Sequence, residues 1–187
     1  MRLEDLLEGG ALSEEDRRLA ESQLGRRLRG EVRVASRCPH GKVQVIATSP
    51  LLDDGTPFPT LFWLTCPLLQ REVSRLENGD FREVLRERLS ADRRMASALQ
   101  SAEDDYRRLR QEWAERLGCG EKVRGLFSSR AGIGGTVAGG LKCLHAHLAH
   151  YLAGGDNPVG AMVYAEFGGL QGRECPGDCR PFLGRRR

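Results

Sequence analysis

GGLKCLHAHLAHYLAGGDNPVG, residues 139–160, holds three of the four histidines of the chain (His145, His147, His150) and Cys143 within a few positions of one another. Leu141, Leu144, Leu148, Tyr151 and Leu152 fall between them at helical intervals. Gly139-Gly140 can open a helix, and Gly154-Gly155 can close it before Asp156-Asn157-Pro158. The other cysteines lie far off, at positions 38, 66, 119, 175 and 179. A thiol and histidines at the start of one helix predict a metal site, completed by cysteines that return from elsewhere. The fold is therefore read as the arrangement that brings them back.

Working toward the N-terminus, residues 128–140 (SSRAGIGGTVAGG) form a glycine-rich lead-in. They lack both G-x-x-x-x-G-K-[ST] and a G-x-G-x-x-G after a strand. Anion binding by glycine amides is one reading; a flexible approach to the helix is the default. Before this loop, residues 67–118 read as a helical arm. Leu68–Leu76 and Phe81–Leu89 are two helices, and Ser90 is a candidate N-cap for a third that reaches Leu117. In the third, Met95, Leu99, Ala102, Tyr106, Leu109 and Trp113 make a stripe of period near 3.5, suited to an antiparallel helix pair or a self-association seam. Glu103–Arg107, Asp104–Arg108 and Glu112–Arg116 stand at i,i+4 on its outer face.

Residues 31–66 predict a sheet. Glu31–Arg37 and Lys42–Thr48 alternate, and Thr60–Thr65 is an apolar run of strand formers. Cys38-Pro39-His40-Gly41 is short enough for a hairpin; Asp53-Asp54-Gly55 turns the longer second connection. In an antiparallel meander Cys38 and Cys66 share one end of the sheet, ~10 Å apart at the backbone if the second strand lies between them. Thiolate–metal bonds of ~2.3 Å plus side-chain reach can span that gap, and an iron–sulfur cluster spans it more easily. Residues 1–30 read as a helical segment, with Ser13 capping a helix that runs to Leu24 and stops at Gly25. Residues 119–160 hold the glycine-rich loop and the Cys/His helix. Residues 161–187, with Cys175-Pro-Gly-Asp-Cys179 and the closing Arg185-Arg186-Arg187, read as a loose tail. The whole is one α+β domain: a small three-stranded antiparallel sheet packed with helices, plus a long helical arm.

Bulk properties narrow the class. With 187 residues, 40% hydrophobic and 29% charged, the chain suits a globular protein with one sizeable core. It contains no apolar run of membrane-spanning length. An acidic, glycine-broken N-terminus does not read as a secretory signal. A cytoplasmic setting follows, where cysteines are core, metal-binding or redox-active rather than paired. Net charge is +3, and all but Lys42, Lys122 and Lys142 of the 29 basic residues are arginine, so no nucleic-acid surface is indicated.

The proposed ligands are Cys38, Cys66 and Cys143, completed by Cys179 or His145, with His150 in a supporting or core role. Cys143 and His147 share a helical face, while His150 lies ~10 Å farther along the axis, too far for one ion with Cys143. Cys175 can also return from the tail, since its spacing from Cys179 suits a metal clip. Zinc suits a closed structural site; an iron–sulfur cluster is favoured if all four ligands are cysteine. A catalytic alternative makes Cys143 a nucleophile with His145 or His147 as base near Asp156. A third reading makes the helix from residue 90 to 117 a docking element, with the cysteines merely packed.

The motifs QLGRRLRG (23–30), RCPHG (37–41), DGTPFPTLFWLTCP (54–67), KCLHAHLAH (142–150) and NPVG (157–160) together resemble the bacterial family known as domain of unknown function DUF501. The likeness covers roughly residues 20–180. It implies no substrate, because the family has no established activity. The residues that carry it are Cys38, Cys66, Cys143, His145 and His150, with Cys179 matching a late cysteine. His40 stands where relatives often have cysteine. His147, Cys119 and Cys175 lie outside the likeness.

Overall fold

A computed structural model describes residues 2–168, 175 and 177–180. The expected basic run Arg185–Arg187 lies outside them. Chain order is α1 (Leu3–Gly9), α2 (Glu14–Leu24), β1 (Val32–Arg37), β2 (Val43–Thr48), β3 (Phe62–Leu64), α3 (Pro67–Asn78), α4 (Phe81–Ala91), α5 (Arg93–Arg116), α6 (Gly120–Ser129), a 3-10 turn at Ile133–Gly135, α7 (Leu144–Leu152) and α8 (Pro158–Glu166). The protein is α+β, as its sequence patterns predict.

The sheet is an antiparallel meander in the order β1-β2-β3. β2 is central and buried along its whole length, with Val45 opposite Leu64 and Ala47 opposite Phe62. Those four side chains face the main core, which they share with Leu69 and Val73 of α3, Tyr106 and Leu109 of α5, and Leu144 and Leu148 of α7. Ile46 joins Val32 against Ala20 and Leu24 of α2 on the opposite face. The sheet thus lies between one helix and a helical layer. α2 is fixed at both ends, because Ser13 Oγ accepts the Asp16 N–H at 3.1 Å and Gly25 supplies a left-handed stop.

The stretch read as an arm lies against this body. α5 begins at Arg93, two residues beyond the expected start. Asp92 accepts the N–H groups of Arg94 and Met95, whereas the Ser90 hydroxyl donates back to the Glu87 carbonyl. A carboxylate at the helix start satisfies two orphan amides, and Ser90 is left closing α4. Leu99, Ala102, Tyr106, Leu109 and Trp113 are buried within the chain, so the stripe read as a self-association seam is used internally. The Tyr106 hydroxyl accepts the Leu61 N–H at 2.6 Å, tying α5 to the approach of β3. Glu103, expected on the outer face, turns inward and accepts the Gly139 N–H at 2.8 Å. Exposed ion pairs fall at Asp104–Arg107, Asp105–Arg108 and Arg108–Glu112 instead. Residues 161–166, expected in the loose tail, are the second half of α8, which packs on α7 and α5. Among the described residues, no helix is long and apolar enough to cross a membrane.

Candidate functional site

Cys38 follows the last residue of β1. Its N–H donates to the Lys42 carbonyl, and its carbonyl accepts the Gly41 N–H, both at 2.8 Å, which closes the hairpin turn. Cys66 follows β3 at the N-cap position of α3, where its N–H and that of Thr65 both meet the Gln44 carbonyl. Two thiols therefore flank the start of β2 at one end of the sheet. Cys175 and Cys179 come to the same place from the far end of the sequence. Gly177, with φ +73°, lies flat against the His40 ring, where a Cβ would stand 3.0 Å from Nδ1. Gln23 of α2 donates to the Cys179 sulfur at 3.4 Å. Cys38, Cys66, Cys175 and Cys179 all line one cavity of about 20 Å³, the room of a single water-sized body.

Electrostatics favour the neutral thiol at Cys66 and Cys179 in the chain alone. Burial pushes the Cys66 thiol up to about 11, and nearby Cys179 and Cys38 push the same way, against the amides of Leu69 and Leu68. Burial likewise raises Cys179, with Gln23 opposing it. A cation bound among them would work the other way, favouring the thiolate form.

Cys143 and His145 stand elsewhere. Cys143 is the N-cap residue of α7 and His145 lies in its first turn. Both line a cleft of about 440 Å³, which also includes Phe62, Trp63 and Leu64 of β3 and has Arg26 stacked over Trp63 at 4.2 Å. Behind them Glu77, near the end of α3, brings Oε1 to 3.3 Å from His145 Nδ1 and accepts the Leu144 N–H at 2.6 Å. On the other side of the ring, His145 Nε2 meets the Gln70 carbonyl at 3.1 Å and Ser74 Oγ at 3.3 Å. Burial opposes charge on His145, but Cys143 and Glu77 outweigh it and push the imidazole up to about 9. Burial also works against the Glu77 carboxylate, yet His145, the Leu144 amide and Arg82 hold its pKa below the usual value. Among the described residues, Glu77, Cys143 and His145 are the only three such donors whose ligand atoms all lie within 4.8 Å of one another.

One expected meeting place is therefore two. Cys38 and Cys66 come together as the meander geometry required, joined by Cys179 and Cys175 from the C-terminal stretch, whereas Cys143 and His145 pair with Glu77 at the cleft. The reason is directional: α7 crosses behind β3 with its first turn beside α3, away from the tip of the β1–β2 turn. Nothing in the local pattern singles out Glu77 among the ion-pairing glutamates of α3 and α4. Cys175 carried one signal, its spacing from Cys179. Cys119 is a packed residue whose thiol donates to the Ala114 carbonyl at 3.3 Å.

His147 and His150 are fully buried in the core. His147 Nε2 meets the Gly140 carbonyl at 3.1 Å, so that nitrogen carries the hydrogen. Asn157 Nδ2 then donates to Nδ1 of His147 at 3.3 Å and of His150 at 3.4 Å. The glycine-rich loop is no anion cradle. The amides of Gly132, Gly135, Gly139 and Gly140 are bonded to Thr136, Gly132, Glu103 and Val137. Gly134, at φ +72°, lets the loop lie against Ala146, where a Cβ would stand at 2.6 Å.

Comparison with protein families matches residues 34–165 to the family described as protein of unknown function, DUF501. Comparisons with curated proteins and with solved structures give no match. Glu77, Cys143, His145, Cys38 and Cys66 fall inside the matched region, while Cys175 and Cys179 lie beyond it.

Proposed function

The chain belongs to the DUF501 family, whose description assigns no activity, and from that premise we propose that it is a metalloprotein with a thiol-ligated centre on Cys38, Cys66, Cys175 and Cys179. The observation that carries this reading is the convergence of four cysteines, from the β1–β2 turn, the β3–α3 junction and the C-terminal turn, on a single small cavity. Zinc is the ion the cavity suits. It takes four thiolates tetrahedrally at ~2.3 Å and closes its own coordination, which is structural rather than catalytic use. Bound there, it clips the C-terminal turn to the end of the sheet and adds its binding free energy to folding. Six unpaired cysteines suit a reducing compartment, and we place the protein in the cytoplasm.

An iron–sulfur cluster is the second reading, and one observation favours it. No three of the four sulfurs lie mutually within 4.8 Å, whereas tetrahedral zinc sets sulfur–sulfur edges of ~3.8 Å. Zinc must therefore draw the ring inward, and a cluster need not. The cavity's small volume supports the single ion.

Metal content and the visible spectrum of anaerobically purified protein test the proposal. Wild type should hold a thiol-bound ion that Cys66→Ser and Cys38→Ser each lose, with retained helical circular dichroism. A colourless protein means zinc and a brown one means iron–sulfur. Unchanged metal content in both variants would remove the centre from these cysteines.

A further inference from the structure

His145 stands where three electron-rich groups converge. The Ser74 hydroxyl gives its hydrogen to the Gln70 carbonyl at 2.8 Å, so toward the imidazole it can only accept. The Gln70 carbonyl can only accept as well. Since Nε2 of His145 faces both, at 3.1 and 3.3 Å, Nε2 carries the hydrogen. Nδ1 then faces Glu77 Oε1 at 3.3 Å, with the Cys143 sulfur in the same group. The carboxylate is held ionised and in place by the Leu144 N–H at 2.6 Å and by Arg82 at 3.6 Å. In the ion-free chain a proton on Nδ1 bridges this gap, and a divalent cation competes with that proton for the same place.

We propose that Glu77, Cys143 and His145 bind a divalent, zinc-like ion whose remaining coordination position opens on the 440 Å³ cleft. Three features of the chain fit this. Nitrogen and oxygen ligands ~2.0–2.1 Å from a tetrahedral ion lie about 3.3 Å apart, the separation found between His145 Nδ1 and Glu77 Oε1. A ligand histidine characteristically donates its other N–H to a backbone carbonyl, as His145 does to Gln70. Three mixed protein ligands beside an open space are the pattern of a site that takes an exogenous ligand; four thiolates around a closed cavity are the structural pattern. The open position is walled by Phe62, Leu64 and Ala146 and has the Arg26–Trp63 stack at its rim. It suits a small ligand with an apolar body and an anionic or metal-binding end. This second site is independent of the thiol centre, since the two share no ligand.

Cobalt(II), added anaerobically to chelator-stripped full-length protein, tests it. Wild type should bind two equivalents, of which His145→Asn and Glu77→Gln each lose one and Cys66→Ser loses the other. The cobalt that remains in Cys66→Ser should change its d–d bands on adding azide, because its coordination is open. Ser74→Ala, which removes a group that orients the ring, should weaken that ion 10–100-fold with the fold intact. If the thiol centre alone is wrong, wild type binds one equivalent that His145→Asn abolishes and Cys66→Ser does not. Wild-type cobalt binding in both His145→Asn and Glu77→Gln would overturn the proposal. So would a doubly protonated His145 ring that one equivalent of zinc leaves unchanged by nitrogen NMR, since a proton would then fill the place assigned to the ion.

Discussion

His150 stacks on Phe62, with ring centroids 5.7 Å apart and planes within 8°, and meets Tyr106 edge-on at 5.5 Å. Burial in this apolar setting, with Asp105 opposing and His147 adding, pushes its pKa down to about 4. An unfolded histidine titrates near 6.5. The unfolded chain therefore takes up a proton over a range where the folded one does not. Stability is retained above about pH 6.5 and falls as pH drops from there to about 4. The loss from this one group is on the order of 3 kcal/mol. Denaturant midpoints between pH 7 and 4 should show it, and His150→Gln should flatten the slope. An equal slope in that variant would move the effect to other groups. The sequence could already assign His150 a core role, because its distance along the helix separates it from Cys143. Its partner Asn157 was legible only as a residue before proline, since no spacing rule predicts a shared amide between two imidazoles.

α7 and α8 act as one unit through that amide. Asn157 Oδ1 caps α8 by accepting the Gly160 N–H at 2.9 Å, while Nδ2 serves both buried histidines. Asn157→Ala removes a cap worth ~1 kcal/mol and leaves two buried acceptors without a donor, at ~1–3 kcal/mol. Thermal melting should fall by roughly 10 °C in a protein of this size. Asn157→Asp should recover only part of it, because a carboxylate caps the helix but cannot donate to an imidazole. Full recovery by Asp would show that the histidines do not depend on the amide. The helices differ in how far they could be read beforehand. α2 announced itself through its Ser cap and Gly stop, and α5 through its stripe. α8 did not, since PVGAMVYAE is apolar on every side and shows no helical period. Whether the α5 stripe met a partner or its own chain was equally closed to the sequence, because periodicity identifies a buried face without saying what covers it.

At the scale of the molecule, the sheet does the organising. Alternating strand direction places the ends of β1 and β3 together, so the proximity of Cys38 and Cys66 followed from a meander with two short connections. The docking of Cys175 and Cys179 did not, because a turn held by Gly177 against His40 has no periodicity to read. The crossing of α7 beside α3 depends on packing alone, and that crossing separates Cys143 from the other thiols. The described residues thus place four thiols around one small cavity at the sheet's end and a mixed donor group at the cleft. X-ray absorption at the metal edge of Glu77→Gln protein, where only the thiol centre contributes, tests the central proposal most directly. Four sulfur neighbours near ~2.3 Å, with no nitrogen or oxygen shell at bonding distance, are predicted for zinc; a shell of nitrogen and oxygen, or no bound metal at all, would contradict it.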